Sequence, residues 1–144
     1  MVAYSFKRRF VGPIRAGLQG DGKLAEFIGS KIYHPKRQTI RAHGKRRHAR
    51  PGDELQLYCG MRTKGCFLIG KARCIAAERI VIWTGPDTIS ILLEKGKLLG
   101  PRQLRDFARA DGFDDARDML EFWKEEHGAP QKWEGVIVRW EPIR

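Results

Sequence analysis

The sequence predicts an α+β domain: a small β-barrel, closed or half closed, with short flanking helices. Three observations carry this reading. Residues 54–59 and 88–93 alternate apolar with polar side chains, as half-buried strands do. Residues 66–83 form a long apolar run broken by Gly70 and by the charged Glu78-Arg79. The clearest helical period, at 114–126, is inserted just before a last strand.

Taken in order, residues 4–10 read as a short strand and 11–17 as a helical turn closed by Gly17. Residues 21–30 place Leu24, Phe27 and Ile28 at helical spacing behind Asp21, a suitable N-cap, and predict a helix. Thr39-Ile40-Arg41 reads as a strand edge and Pro51-Gly52-Asp53 as a turn into the 54–59 strand. A second turn at 61–65 precedes the long run, which is one bent strand or two in sequence. Pro101 opens a short helix with Leu104, Phe107 and Ala108 on one side, interrupted at Ala110-Asp111-Gly112-Phe113. The 114–126 helix turns Ala116, Met119, Leu120 and Trp123 to one face, and Asp114 and Asp115 suit its positive N-terminal end. The closing strand runs through Trp133, Val136, Val138 and Trp140. With neither repeats nor a low-complexity linker, one domain over 1–144 is expected.

A chain of 144 residues is long enough to bury a sizeable core. No apolar run approaches the roughly 20 residues that span a bilayer. Residues 1–9 lack the apolar centre of a secretory signal. Cys59, Cys66 and Cys74 fit neither a disulfide framework nor a CxxC pair and read as reduced, partly buried thiols. A cytoplasmic protein is expected, with no metal, no cofactor and no membrane partner; oligomeric state leaves no trace in the sequence.

The formal net charge is +11, and it is unevenly spread: residues 1–105 carry +15 and 106–144 carry −4. Residues 31–52 hold eight Lys or Arg and three of the four histidines, with no acid. Like charges at this density repel one another, and an anion lying against them is the usual reason for such a run. RNA or another nucleic acid is the expected partner. Lys45, Arg46, Arg47 and Arg50 read as phosphate contacts, with Lys36 and Arg37 beside them. Arg41 has the planar fork that reads a phosphate or a base edge, or else forms a salt bridge to Asp53 or Glu54. The histidines are expected to join polyanion binding when protonated. Tyr58, Trp83, Trp133 and Trp140 could stack on bases, but strand aromatics are more often core, and core is the expectation for each.

Several of these motifs occur in a particular order. Lys36-Arg37-Gln38-Thr39-Ile40-Arg41 follows a short helix; then come Pro51-Gly52-Asp53-Glu54-Leu55-Gln56-Leu57-Tyr58, Asp111-Gly112-Phe113, an acidic helix and a closing Val138-Arg139-Trp140. From Phe6 to Trp140 this order resembles the ASCH family (activating-signal-cointegrator homology), a branch of the PUA-like β-barrels. The resemblance implies a barrel with a cleft beside the Lys-x-x-Thr segment, suited to RNA or a nucleobase. Some small members are amidohydrolases that deacetylate N4-acetylcytidine with a lysine, a threonine and a carboxylate, which fall here on Lys36, Thr39 and Asp111. Two departures stand out. The carboxylate is glutamate in those enzymes, so Asp111 reaches about one methylene less far. About fifteen residues around 18–32 are also inserted, expected to be helical and able to cover or gate a cleft.

The residues themselves allow this chemistry without requiring it. A threonine hydroxyl attacks only when a neighbouring base takes its proton, and a lysine is that base only with a depressed pKa. Nearby cations such as Arg37 and Arg41 lower a lysine pKa, and a carboxylate orients it. Residues three apart on a strand face opposite ways, so Lys36 and Thr39 can meet only if the chain turns at Arg37-Gln38. Otherwise Lys36 is a phosphate contact, Thr39 an ordinary strand residue and Asp111 a helix cap. The leading expectation is an RNA-binding module that holds one nucleobase, with the amidohydrolase second and a ribonuclease third. A protein-interaction role through the acidic helix is a further alternative.

Overall fold

A computed structural model of the chain describes residues 1–19, 26–28 and 31–143. Strand β1 (Val2–Phe6) leads through a 3-10 turn at Arg8–Phe10 into helix α1 (Val11–Gln19). Strands β2 (Glu26–Ile28) and β3 (Lys31–Tyr33) follow, then β4 (Gln38–Ala42), β5 (Glu54–Cys59), β6 (Phe67–Thr84) and β7 (Ile89–Leu93). Helices α2 (Pro101–Ala110) and α3 (Ala116–His127) precede the last strand, β8 (Gln131–Pro142). No helix among the described residues is long and apolar enough to cross a membrane.

The fold is mixed α+β around a six-stranded sheet in the order β1-β5-β6-β8-β4, with β7 beside β6. β1 runs parallel to β5; the other pairs in this sheet are antiparallel. The sheet does not close, since β1 and β4 are its two edges and no backbone ladder joins them among the described residues. The long apolar run is one 18-residue strand. It pairs with β5 through its first half, with β7 through its last, and with β8 along most of its length. Register shifts opposite Leu57/Tyr58 and at Cys74/Ala76 supply the bend expected of it. The core is built from Ile14, Leu55, Leu57, Ile80, Ile82, Ile91, Phe113, Met119, Ile137 and Trp140, each almost fully buried. Helix α3 is capped by Asp115, whose carboxylate accepts from the Asp118 N–H at 2.8 Å.

Four expectations need correction. β1 spans Val2 to Phe6, and the chain tightens into a 3-10 turn at Arg8 that keeps Arg8 and Arg9 exposed while burying Phe10. The helix expected at 21–30 is replaced, where the chain is described, by the antiparallel pair β2–β3, with Ile28 opposite Lys31. Phe27, Ile28, Ile32 and Tyr33 are β-branched or aromatic strand formers, and their pairing outweighs a short helical period. The rest of that expected helix lies outside the described residues. Gly17 does not end α1, which continues to Gln19. Trp83, expected in the core, is 36% exposed.

Candidate active site

The site is built where the end of α2 meets the chain entering β4. Asp111 is the C-cap of α2, its N–H donating to the carbonyls of Phe107 at 3.0 Å and Ala108 at 3.2 Å. The capping role expected of it therefore falls to its backbone and leaves the carboxylate for other partners. Gly112 follows at φ 97°, and a Cβ there would stand 2.9 Å from Phe10 Cδ1 and 3.0 Å from Lys36 Cδ. Glycine at 112 thus both makes the left-handed turn and leaves room for the lysine stem.

On the other side Lys36 is held by its backbone. Its N–H donates to the Pro13 carbonyl at 2.9 Å. Gly17 lies so close that a Cβ there would be 2.3 Å from the Lys36 carbonyl oxygen, and Arg37 Nε donates to the Gly17 carbonyl at 2.8 Å. Close approach, rather than helix termination, is what position 17 requires. The strand starts only at Gln38, so Lys36 precedes the pleat, and Lys36 and Thr39 reach the same cavity.

Lys36 Nζ donates to the Asp111 carbonyl and, at 3.3 Å, to Asp111 Oδ1. Gln38 Nε2 donates to that same Oδ1 at 3.3 Å. Thr39 Oγ1 accepts from Arg41 Nε at 2.9 Å, while Arg41 Nη2 donates to the Ser5 carbonyl at 2.7 Å. Arg41 thus bridges the open gap between β4 and β1 and does not pair with Asp53 or Glu54. Its guanidinium lies 4.7 Å from the Phe6 ring centroid and 5.2 Å from that of Tyr4. Lys36 Nζ stands 4.9 Å from the Phe10 centroid. Lys36, Thr39, Arg41 and Asp111 line one cavity of about 210 Å³, walled by Phe6, Phe10, Phe113 and Phe122. Lys7 and Glu126, which pair with each other, line it too.

Burial sets the electrostatics. It pushes the Lys36 ammonium below the ordinary lysine value; Asp111 pulls the other way, while Arg41 and Arg9 lower it further. It likewise pushes the Asp111 carboxyl above the ordinary value, against the opposing pull of Lys36 and Gln38. Both shifts favour the uncharged forms, so the pair can hold or pass a proton. The Arg41 guanidinium, also lowered by burial, remains the fixed charge of the cavity.

The structure brings together four of the residues singled out from sequence and separates the rest. Arg37 lies on the far side of the Lys36–Gln38 wall. Lys45, Arg46 and Arg50 are exposed on the loop between β4 and β5, away from the cavity. Arg47 donates to Asp53 Oδ2 at 2.9 Å, and the Arg50 N–H to the same oxygen at 2.9 Å. An acid from beyond the basic run therefore neutralises part of it. His48 is structural: its Nδ1 shares a hydrogen bond with Tyr4 Oη at 3.0 Å and its Nε2 contacts the Ala42 carbonyl at 2.8 Å.

Sequence reasoning missed Gln38, the aromatic wall and His127, which lines the cavity with its ring 4.4 Å from Trp123. Gln38 had a signal, being a polar residue within the Lys-x-x-Thr segment. The phenylalanines, scattered from residue 6 to 122, had none. No protein-family model, no curated protein and no solved structure matches the chain.

Proposed function

We propose that this protein is an amidohydrolase that removes an acyl group from the exocyclic nitrogen of a nucleobase, with N4-acetylcytidine as the test substrate. The observation that carries the reading is the convergence, in one aromatic-walled cavity, of a buried Lys36–Asp111 pair poised toward neutrality and a Thr39 hydroxyl already bound to Arg41. The ASCH-like order of motifs supports the same reading.

In this mechanism the neutral Lys36 amine takes the Thr39 hydroxyl proton as Oγ1 attacks the amide carbonyl carbon. Arg41, donating to Oγ1, lowers the cost of negative charge as the proton leaves. Collapse of the tetrahedral intermediate breaks the C–N bond, and Lys36 returns the proton to the departing exocyclic nitrogen. Water, deprotonated by the same amine, then attacks the acyl–threonine ester, and Lys36 passes that proton to Thr39 Oγ1 as the acid leaves. Asp111, joined to Lys36, orients the amine and shares its proton.

Incubation with N4-acetylcytidine, followed by chromatography, tests this. Cytidine and acetate should appear in equal amounts, and Lys36→Ala or Thr39→Ala should lower the rate at least about 10²-fold, the usual worth of a positioned base or nucleophile. No release by the natural protein, or equal release by Lys36→Ala, overturns the mechanism.

A second reading is favoured by the exposed Lys45, Arg46 and Arg50: the same cavity holds a base without cleaving it, in a module that binds RNA through its charge. Salt-dependent RNA binding that persists in a protein inactive on the nucleoside would favour this alternative.

A further inference from the structure

We infer that the amidohydrolase site acts on a nucleotide within a single strand of RNA, and that the flanking strand lies in an arginine-lined groove behind the active-site wall rather than on the 45–50 loop. The inference rests on the reading that the cavity takes a nucleobase. The groove, about 850 Å³, lies across Gln38 from the cavity and is lined by Arg37, Arg105, Arg109 and Arg139, against the carboxylates of Asp106 and Glu141. Arg105 meets Asp106 and Arg139 meets Glu78, each at 3.5 Å, and Arg37 and Arg109 each donate through Nε to a backbone carbonyl; the lining still holds more arginines than carboxylates, a balance that suits an anion. All four cations are arginines, whose planar fork matches a phosphate in two hydrogen bonds. The groove also offers apolar surface: Ile75, 48% exposed at the register shift of β6, lies in it beside Pro35. Bases stack or rest on such surface while phosphates meet arginines.

The groove is not isolated from the active cavity. His34 belongs both to it and to a second hollow of about 490 Å³, which contains Arg8 and Arg9. That hollow shares Phe113 with the active cavity. Arg109 marks the junction, lining the groove while its Nε donates at 3.0 Å to the carbonyl of Asp114 in the hollow. A strand whose acylated base enters the cavity would therefore meet arginines along the way round to α2. None of the 45–50 loop lines any of these three hollows.

The test compares a fluorescent oligoribonucleotide carrying one N4-acetylcytidine with the free nucleoside, using the natural protein, Arg105→Glu with Arg109→Gln, and Arg46→Glu with Arg50→Glu. Anisotropy reads binding and chromatography reads hydrolysis. The inference expects tight oligonucleotide binding that weakens at least tenfold in the α2 variant, with a log–log salt slope shallower by about 0.7 for each lost phosphate contact. Hydrolysis of the free nucleoside should be unchanged in that variant, which also shows that it is folded. Loss of binding in the loop variant with the α2 variant unaffected overturns the groove. So does an oligonucleotide that binds no better than the nucleoside. Binding lost in the α2 variant, by a natural protein that hydrolyses neither substrate, sustains the groove and rejects the amidohydrolase.

Discussion

Two aspartates in this chain each sit beside a basic side chain, and their carboxyl groups are displaced in opposite directions. Asp53 meets Arg47 at 2.9 Å with both side chains open to water; Asp111 meets Lys36 at 3.3 Å with side-chain exposures of only 7% and 3%. The shorter contact is the less consequential. At Asp53 the Arg50 N–H and the Arg47 guanidinium hold the carboxyl below its usual range, and little desolvation opposes them. At Asp111 loss of water dominates and drives the carboxyl upward despite its cation. Burial, not separation, decides which pair can exchange a proton and which is a surface tether.

The largest effect should come from splitting the buried pair. Asp111→Ala leaves Lys36 facing a backbone carbonyl and the Phe10 ring, and is expected to cost about 1–3 kcal/mol in urea unfolding, as a buried polar group that loses a partner does. Lys36→Met combined with Asp111→Leu replaces both polar groups by apolar ones of similar size. That double variant should recover most of the stability while remaining inactive. If it is as unstable as Asp111→Ala, the pair is an integral part of the fold rather than one held for chemistry.

Gly17→Ala probes the scaffold behind the pair. Its Cβ would sit 2.3 Å from the Lys36 carbonyl oxygen, so α1 or Lys36 must move. Overpacking of this kind costs about 1–3 kcal/mol. A shift of Lys36 should also lower kcat on the acylated nucleoside by more than the loss of folded protein accounts for. Unchanged kcat with unchanged melting would show that Lys36 is not positioned through this contact.

The opposite shifts of the two aspartates predict opposite pH dependences. Asp53, depressed in the folded state, contributes stability above the ordinary carboxylate pKa, and this is lost as pH falls through its folded value. Asp53→Asn should therefore flatten the acid limb of a melting-temperature profile below about pH 4. Asp111, raised in the folded state, favours folding in acid, and that support is withdrawn as pH climbs from the ordinary carboxylate value through the folded one. Asp111→Asn should remove a decline on that side. With Lys36 as the base of the proposed hydrolysis, the rate should rise with pH to a plateau at an apparent pKa below the ordinary lysine value. A profile indifferent to Lys36→Arg would remove Lys36 from the proton path.

The strands and α3 were legible because alternation and helical period are local properties. That Lys36, Thr39, Arg41 and Asp111 line one cavity has no local signature, since no period or spacing links residues 36–41 with 111. Gly17 was misread because its requirement comes from a strand entry nineteen residues later, not from its own helix. The β2–β3 pair has no clear local signal, because Leu24, Phe27 and Ile28 fit a helical period while Phe27, Ile28, Ile32 and Tyr33 are equally good strand formers. The pairing of Arg47 with Asp53 is not legible from the acid-free run at 31–52, because the acid lies in the turn that follows it. Sheet closure was not legible at all, because an open edge and a paired one carry the same alternation.

The smallest effect should come from the surface pair, and it sharpens the comparison because its geometry is the better of the two. Arg47 is half exposed and its contact with Asp53 is screened by water and salt. Arg47→Ala should leave the melting temperature within the scatter of replicates at 0.5 M salt, and should leave hydrolysis of the free nucleoside untouched. The Arg50 N–H still caps Asp53, so the turn at residues 50–53 keeps its shape. A large destabilisation that persists at high salt would mean the 43–50 loop depends on this ion pair. It would then not be held, as its contacts indicate, by His48 against Tyr4 and by the buried Ala49.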